Sequence, residues 1–515
     1  MGKYVGIDLG TTYSVVAYID ESGIPRILQN GEGDNLTPSA ILFTKDGVVV
    51  GDAAKSESFI DSANYVELVK RYMGDRTFER RAPDGMKYTP ESLSAIILKK
   101  LKQDAEKSLG DSIDGAVITV PAYFNDSQRK ATKDAAQIAG LNPLAIINEP
   151  TAAALSYGID KGDENKKIVA IYDLGGGTFD ICIMSFQGTQ IETLASVGNP
   201  QLGGCDFDAT IVEYVKDKAK EQGISIDEDV DAMQNLRLDA EKAKKQLSQK
   251  TQTKISLTVN GKRFAVEIAR ETFEKLIQPL IFRTVVLFEE ALDMANITRS
   301  DLNKILLVGG STRIPLVSAM IREDTGITPS SDIHPDEAVA IGAAYHVVNL
   351  LKKKQAEGTV SVSNADIPDL KKEYRFTDRT AHSIGVIQYD EEKDDLVNSI
   401  ILKCNTPIPA QHENVYATLT PNQKTIDLEV TQGESEDLAY VTKIGKCEIP
   451  LKVRPYCYPV RIIVSCDEDS IIHVRVIDDE DNEDLGDLHI NRLNNLSESE
   501  MDTQKTRVGK LNIGE

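Results

Sequence analysis

Two stretches of this chain repeat one local design, and together they restrict the fold more than any other feature. Val5-Gly6-Ile7-Asp8-Leu9-Gly10-Thr11-Thr12 and Ile171-Tyr172-Asp173-Leu174-Gly175-Gly176-Gly177-Thr178-Phe179-Asp180 each lead from apolar residues through an aspartate into a turn of small residues. The apolar run from Ile168 to Ile171 reads as a buried strand with Asp173 at its end. Glycines let the backbone turn tightly and bring its N–H groups close to an anion, and Thr178 adds a hydroxyl. The aspartate is placed for a hydrated cation. Two such units about 165 residues apart predict two similar halves clamping one polyphosphate.

Taken alone, an aspartate before a glycine is often only a turn. The second copy, and a third strand-to-glycine segment from Ile305 to Pro315 that carries Gly309, Gly310 and Ser311, weigh against that reading. No stretch has the GxGxxG or GxxxxGK[ST] spacing, which sets aside dinucleotide and P-loop folds. A net charge of −23 argues against nucleic-acid and anionic-membrane partners, and no apolar run reaches membrane-spanning length. The six cysteines (Cys182, Cys205, Cys404, Cys447, Cys457 and Cys466) show no CxxC pair, as expected of reduced thiols in a cytosol. The start Met1-Gly2-Lys3-Tyr4 shows no signal peptide, so the expected location is cytoplasmic.

A length of 515 residues suits roughly three or four domains. Residues 1–350 alternate strand and helix signals. Thr89-Pro90 starts a long amphipathic helix that Gly110 stops, and Asn125-Asp126-Ser127 caps another ending at Gly140. Residues 208–300 read as helix-rich, with a hairpin around Asn260-Gly261. Residues 351–374 read as a polar linker, 375–490 as an all-β unit, and 491–515 as a short truncated tail with a helix from Ser497. Glu241, Lys244, Lys245 and Ser248 share one helical face, which is a solvated surface by default and a polar wall for a nucleoside otherwise. Lys70 is a surface lysine by default. Glu149 is more suggestive, because Pro150 fixes a turn directly after Ile146-Ile147.

These segments, with Val120-Pro121-Ala122-Tyr123-Phe124-Asn125-Asp126 and Ile147-Asn148-Glu149-Pro150-Thr151-Ala152-Ala153-Ala154, resemble the heat shock protein 70 (DnaK-type) chaperone family. The resemblance implies an α/β actin-like two-lobed ATPase domain followed by an all-β sandwich that binds peptides. It implies that Asp8 and Asp173 hold Mg²⁺ through waters, and that Asp180 helps position water or K⁺. Gly10, Thr11, Thr12, Tyr13, Gly175, Gly176, Gly177 and Thr178 would bind the phosphates of ATP or ADP. Lys70 and Glu149 would orient the attacking water and the γ-phosphate. Glu241, Lys244, Lys245 and Ser248 would grip the adenosine, facing Gly309, Gly310, Ser311, Arg313, Ile314 and Asp336. Pro121 and Arg129 match positions that relay nucleotide state to the second domain.

Several positions depart from the family. Ala145 replaces a basic residue used in docking the linker and a J-domain co-chaperone, and no Asp–Leu-rich linker is evident; only Ile367-Pro368-Asp369-Leu370-Lys371-Lys372 stands near its place. Both changes argue against J-protein stimulation and tight interdomain coupling. The loop Asp390-Glu391-Glu392-Lys393-Asp394-Asp395 is acidic where the family has small residues beside the peptide groove; it would suit basic or polar peptides, or mark an altered groove. Cys205 and His334 stand where Glu and Asn are usual. Leu496-Ser497-Glu498-Ser499-Glu500 resembles the first turn of a helical lid, and the chain is expected to lack the rest. Two readings follow. The first is a slowly hydrolysing ATP-dependent chaperone with a lidless β-sandwich for unfolded polypeptide, with a nucleotide-exchange factor as a further partner. The second is a nucleotide-gated scaffold that binds one specific partner. A small-molecule kinase of the same superfamily is a distant third, because no acceptor-positioning constellation is evident.

Overall fold

The computed structural model describes residues 3–83, 85–158, 165–358, 367–370, 373–488, 491–492 and 495–514. The repeated motif builds a repeated sheet. In the first sheet Pro143–Asn148, Ile113–Val120 and Lys3–Asp8 run parallel, and Tyr13–Ile19 and Pro25–Leu28 follow antiparallel. In the second, Lys304–Val308 lies parallel to Lys167–Leu174, and Phe179–Gln187 and Gln190–Asn199 follow antiparallel. Asp8 and Asp173 thus occupy equivalent places near the ends of central strands.

Between the sheets lie two helices rich in small residues, Glu149–Gly158 and Ala338–Ala356. A methyl on Gly342 would stand 1.7 Å from the carbonyl oxygen of Ala152, so glycine is what lets them touch. Val15 and Ala17 from one sheet, and Val169 and Ile171 from the other, pack on this pair in a common core. The helix Pro90–Leu109 has its Thr89 capping box and left-handed Gly110, and Asp126–Ile138 is capped by Asn125. The hairpin Gln252–Val259/Lys262–Ala269 turns at Asn260-Gly261, both at positive φ. All three follow the sequence expectation.

Farther along, two antiparallel sheets face each other. One contains Asp395–Leu402, Ile384–Asp390, Thr425–Gln432, Thr442–Pro450 and Asn491–Arg492; the other contains Ala410–Ala417, Pro459–Cys466, Ile472–Asp478 and Glu483–Leu488. Val386, Leu428 and Val430 meet Val460, Val464 and Val474 in one core, each strand turning alternate side chains to that face. We refer to this unit as the β-module.

Two expectations need correction. Residues 351–356 are not linker: the helix Ala338–Ala356 continues through them because Leu351 is buried and holds its last turn on the core. Residues 359–366 and 371–372 of the expected linker lie outside the described residues. The linker expected to be missing, which in the family docks as a strand, has a counterpart past Ile367–Lys372: a docking strand, Arg375–Thr377, extends the second sheet parallel to Gln190–Asn199. Its charged, non-repetitive sequence hid it. The strand Glu483–Leu488, paired to Ile472–Asp478, is hydrophilic; an edge strand with one wet face needs little apolar character.

No helix among the described residues is long and apolar enough to cross a membrane.

Candidate active site

A cleft of about 1410 Å³ opens between the two sheets, lined by both glycine turns and by Glu241, Lys244, Lys245, Ser248, Gly309, Gly310, Ser311, Arg313, Ile314 and Asp336. All the expected site residues line it except Gly177 and Asp180, which lie just behind. The turns press on each other. A methyl on Gly176 would stand 2.2 Å from Thr12 Oγ1, and one on Gly177 would stand 2.4 Å from Thr11 Cγ2. A methyl on Gly10 would stand 1.9 Å from the carbonyl oxygen of Tyr13 within its own turn. These cradles admit glycine alone, and they leave backbone N–H groups near where an anion would sit.

The cleft floor is charged and largely buried. Lys70 and Glu149 are both buried and form an ion pair. Thr119 Oγ1 donates to Asp8 Oδ1 over 3.1 Å, and the backbone N–H of Tyr123 donates to Asp180 Oδ1 over 3.1 Å. Burial pushes the carboxyls of Asp8 and Asp180 up to about 7, with the nearby Glu149 adding to the rise. Asp173 is raised in the same direction by burial, and by Glu149, Asp180 and Asp8. Four carboxyls against Lys70 are therefore short of positive charge. A cation is the chemistry that such a floor accepts. Among the described residues, Asp8, Asp173 and Asp180 do not bring their oxygens together at direct-ligation spacing. The acidic trio that does so, Glu32, Asp34 and Asp52, is largely exposed.

On the far wall, Glu241 pairs with Lys55 at 2.5 Å and with Lys245 at 2.8 Å, and Lys245 donates to the Tyr13 hydroxyl over 2.8 Å. Burial would raise Glu241, but the two ammonium groups override it and hold the carboxyl at about 2. Lys244 binds Asp208 at 2.7 Å, Ser248 Oγ donates to the Lys244 carbonyl over 3.1 Å, and Arg313 pairs with Asp336 at 2.5 Å. Ser311 Oγ donates to the Gly175 carbonyl over 2.8 Å.

Two contributors were not singled out from sequence. Lys55 is paired with Glu241. Arg71 donates to the Gly177 carbonyl over 2.7 Å and pairs with Asp206, joining the two halves of the cleft. Arg71 stands beside Lys70 in sequence, but its partners lie 106 and 135 residues away, and no local spacing reveals them. Cys205 lines the cleft, and its N–H donates to the Gly176 carbonyl over 2.8 Å.

Behind the floor lies the seam with the β-module. Buried Arg129 donates to the carbonyls of Phe124 and Ala122 and, over 2.7 Å, to Asn148 Oδ1. Asp378, which directly follows the docking strand, accepts from Asn148 over 3.1 Å and from Thr151 and Thr193 over 2.8 Å each. His382 Nε2 stands 3.2 Å from the Tyr123 carbonyl oxygen. With alanine at 145, the seam there rests on Asp469, which pairs with Lys133 at 2.9 Å and accepts from the Ile146 N–H over 3.2 Å.

The sequence model of the family described as Hsp70 protein matches residues 4–83 and 78–510. The chaperone protein DnaK of Thermotoga neapolitana is 40% identical over 485 residues, covering 92% of this chain and 78% of that protein. The DnaK proteins of Thermotoga petrophila and Thermotoga maritima match to the same extent. The chain belongs to the Hsp70 family. It is an ATP-binding, ATP-hydrolysing chaperone of that family, whose members use ATP and ADP with Mg²⁺ and bind unfolded polypeptide.

Proposed function

We propose that ATP lies in this cleft with its phosphates between the Thr11–Thr12 and Gly175–Gly177 turns, and that polypeptide binds the β-module. The observation that carries this reading is the contact of the two turns directly above the floor formed by Asp8, Lys70, Glu149 and Asp173. Mg²⁺, held through water by Asp8 and Asp173, would neutralise phosphate charge. Asp180 fits beside it as a site for water or K⁺. Glu149 orients the attacking water, whose oxygen bonds to the γ-phosphorus as the bond to the β–γ bridging oxygen breaks, giving ADP and inorganic phosphate. Lys70 offsets the charge that builds on the γ-phosphoryl oxygens, and Thr178 holds one of them. Glu241, Lys244, Lys245 and Ser248 form one adenosine wall; Gly309, Gly310, Ser311, Arg313, Ile314 and Asp336 form the other.

The acidic loop 390–395 favours basic or polar segments of client. The described tail helix Glu498–Lys510 packs on the helices Pro90–Leu109 and Asp126–Ile138 rather than over the β-module, which supports a client site without a lid from this segment. We place the protein in the cytoplasm, with its cysteines reduced. A nucleotide-exchange factor fits as a further partner; the lack of a basic residue at Ala145 argues against J-domain stimulation.

The test is steady-state ATP hydrolysis with and without an unfolded basic peptide. Turnover that rises with peptide supports the proposal. Turnover indifferent to every peptide, with one native partner captured saturably, would establish the nucleotide-gated scaffold instead. No turnover would overturn the catalytic assignments.

A further inference from the structure

The helix Arg270–Ala295 covers the face of the second sheet opposite the two central helices, where Phe273, Ile277, Ile281 and Phe288 join Ile181 and Ile183 in one core. Its other face is not what such a helix usually turns to water. Pro279, Phe282 and Val286 stand there at i, i+3 and i+7, all exposed, Phe282 at 58% and Val286 at 51%. An apolar ridge with charges at its ends marks an interaction site. None of these residues lines the cleft. The β-module reaches the helix at its last turn, where Asn405 Nδ2 donates to the Met294 carbonyl over 3.4 Å, and the ridge stays exposed in its presence.

The charges at the two ends of the ridge say what covers it. With 3.6 residues per turn, Lys275, Phe282, Val286 and Asp293 fall within about 20° of one line along the helix. Lys275 and Asp293 are exposed, and neither has an ion-pair partner among the described residues. The four are placed evenly about Thr284: Phe282 and Val286 lie two residues to either side, Lys275 and Asp293 nine. An antiparallel copy of this helix, related by a two-fold axis at the level of Thr284, therefore meets it in register. Phe282 packs on the partner's Val286, Lys275 meets the partner's Asp293, and each contact occurs twice. A partner of a single charge sign would match one end of the ridge and be repelled at the other. We propose that this face is a self-complementary interface and that a second copy of this chain occupies it. Helices paired in this way cross at about 20°, which keeps the charged ends within reach of each other. A net charge of −23 makes the copies repel at a distance, and one helix pair is a small interface, so the dimer is weak, with a Kd of roughly tens of micromolar.

Sedimentation of the full chain, at concentrations from about 2 to 200 μM, tests the proposal. The unmodified protein should pass from monomer to dimer over this range, and Phe282→Asp should stay monomeric throughout. Lys275→Glu and Asp293→Lys should each weaken the dimer by about tenfold, because each reversal replaces two attractions with two repulsions. The double variant Lys275→Glu/Asp293→Lys remakes both pairs with their signs exchanged, so it should dimerise about as well as the unmodified protein. All three positions are exposed, so these substitutions open no core. A monomer at every concentration would overturn the proposal and leave the ridge to a different protein. Dimerisation untouched by Phe282→Asp would overturn it by placing the contact elsewhere on the surface. A double variant no better than the single reversals would overturn the two-fold register about Thr284, and with it the interface.

Discussion

Asn148 donates its side-chain amide to Asp378 over 3.1 Å, and the next residue in sequence, Glu149, is the one paired with Lys70 on the cleft floor. One peptide unit therefore separates the proposed hydrolytic site from the root of the β-module. Thr151, one helical turn along, holds the same aspartate. Burial pushes the Asp378 carboxyl up, and these donors and Arg129 nearby pull against that rise. Asn148 is thereby joined to the residue that directly follows the docking strand.

Asp378→Ala removes the acceptor shared by three buried side chains. Basal ATP hydrolysis should persist, because no group facing the phosphates is lost. Peptide stimulation should fall by about tenfold or more, a coupling of about 1–3 kcal/mol. Asp378→Asn, which keeps one acceptor oxygen, should retain part of it. Stimulation measured side by side in the three proteins checks this; full stimulation in Asp378→Ala would show that the docking strand carries no signal.

Lys70→Ala should lower kcat by about 10²–10³, the usual cost of losing one preorganised charge at a transition state. It also strands Glu149 beside Asp8 and Asp173, so the protein without nucleotide should melt at a lower temperature. Binding of Mg·ADP should survive. Single-turnover rates and a nucleotide titration separate the two effects; loss of binding with an unchanged rate of the bound fraction would move Lys70 out of the catalytic role.

Both glycine turns and their aspartates were legible in the sequence because each is a local pattern, complete within about ten residues. Paired copies predicted the paired sheets for the same reason. What stayed hidden depends on partners far along the chain. Arg71 is an ordinary arginine until Gly177 and Asp206 fold against it, and Arg375–Thr377 carries no apolar alternation because only three residues pair along one edge. The strand Ile513–Gly514 is too short to have a period at all. The roles of Glu241 and Lys245 could be proposed only through the family resemblance, since a charged helix face reads equally well as solvated surface.

His346 gives a pH dependence with a definite sign. Burial pushes this imidazole down to about 4, against the opposing pull of Asp469 and Glu468; Nδ1 has no hydrogen-bond partner, and the ring packs edge-on against Phe376 of the docking strand. A folded-state value below the unfolded value near 6.5 means that the unfolded chain binds the proton first. Stability should be unaffected above about pH 6.5 and should fall as pH drops from there towards 4, by roughly 3 kcal/mol in all. Denaturant titrations between pH 7.5 and 4.5 should show this slope, and His346→Leu should flatten it. A slope unchanged in the variant would assign it to other groups.

The contact between the two glycine turns is itself testable through Gly176. Its backbone lies in a region open to any residue, so Gly176→Ala strains nothing locally. The whole cost falls on Thr12 of the opposite half, whose Oγ1, Cγ2 and Cβ would stand 2.2, 2.5 and 2.9 Å from the new methyl. Overpacking of this kind costs about 1–3 kcal/mol. Because the two turns must close on one phosphate chain, that cost should appear in Mg·ADP affinity as a loss of about ten- to a hundredfold. Thr12→Ala in the same protein removes the two nearest atoms, so the double variant should bind more tightly than Gly176→Ala alone, although Thr12 itself lines the cleft. Calorimetric titration of the single and double variants measures the interaction directly. If Gly176→Ala binds as tightly as the unmodified protein, the turns do not close on each other when nucleotide binds, and the clamp is looser than the paired glycines require.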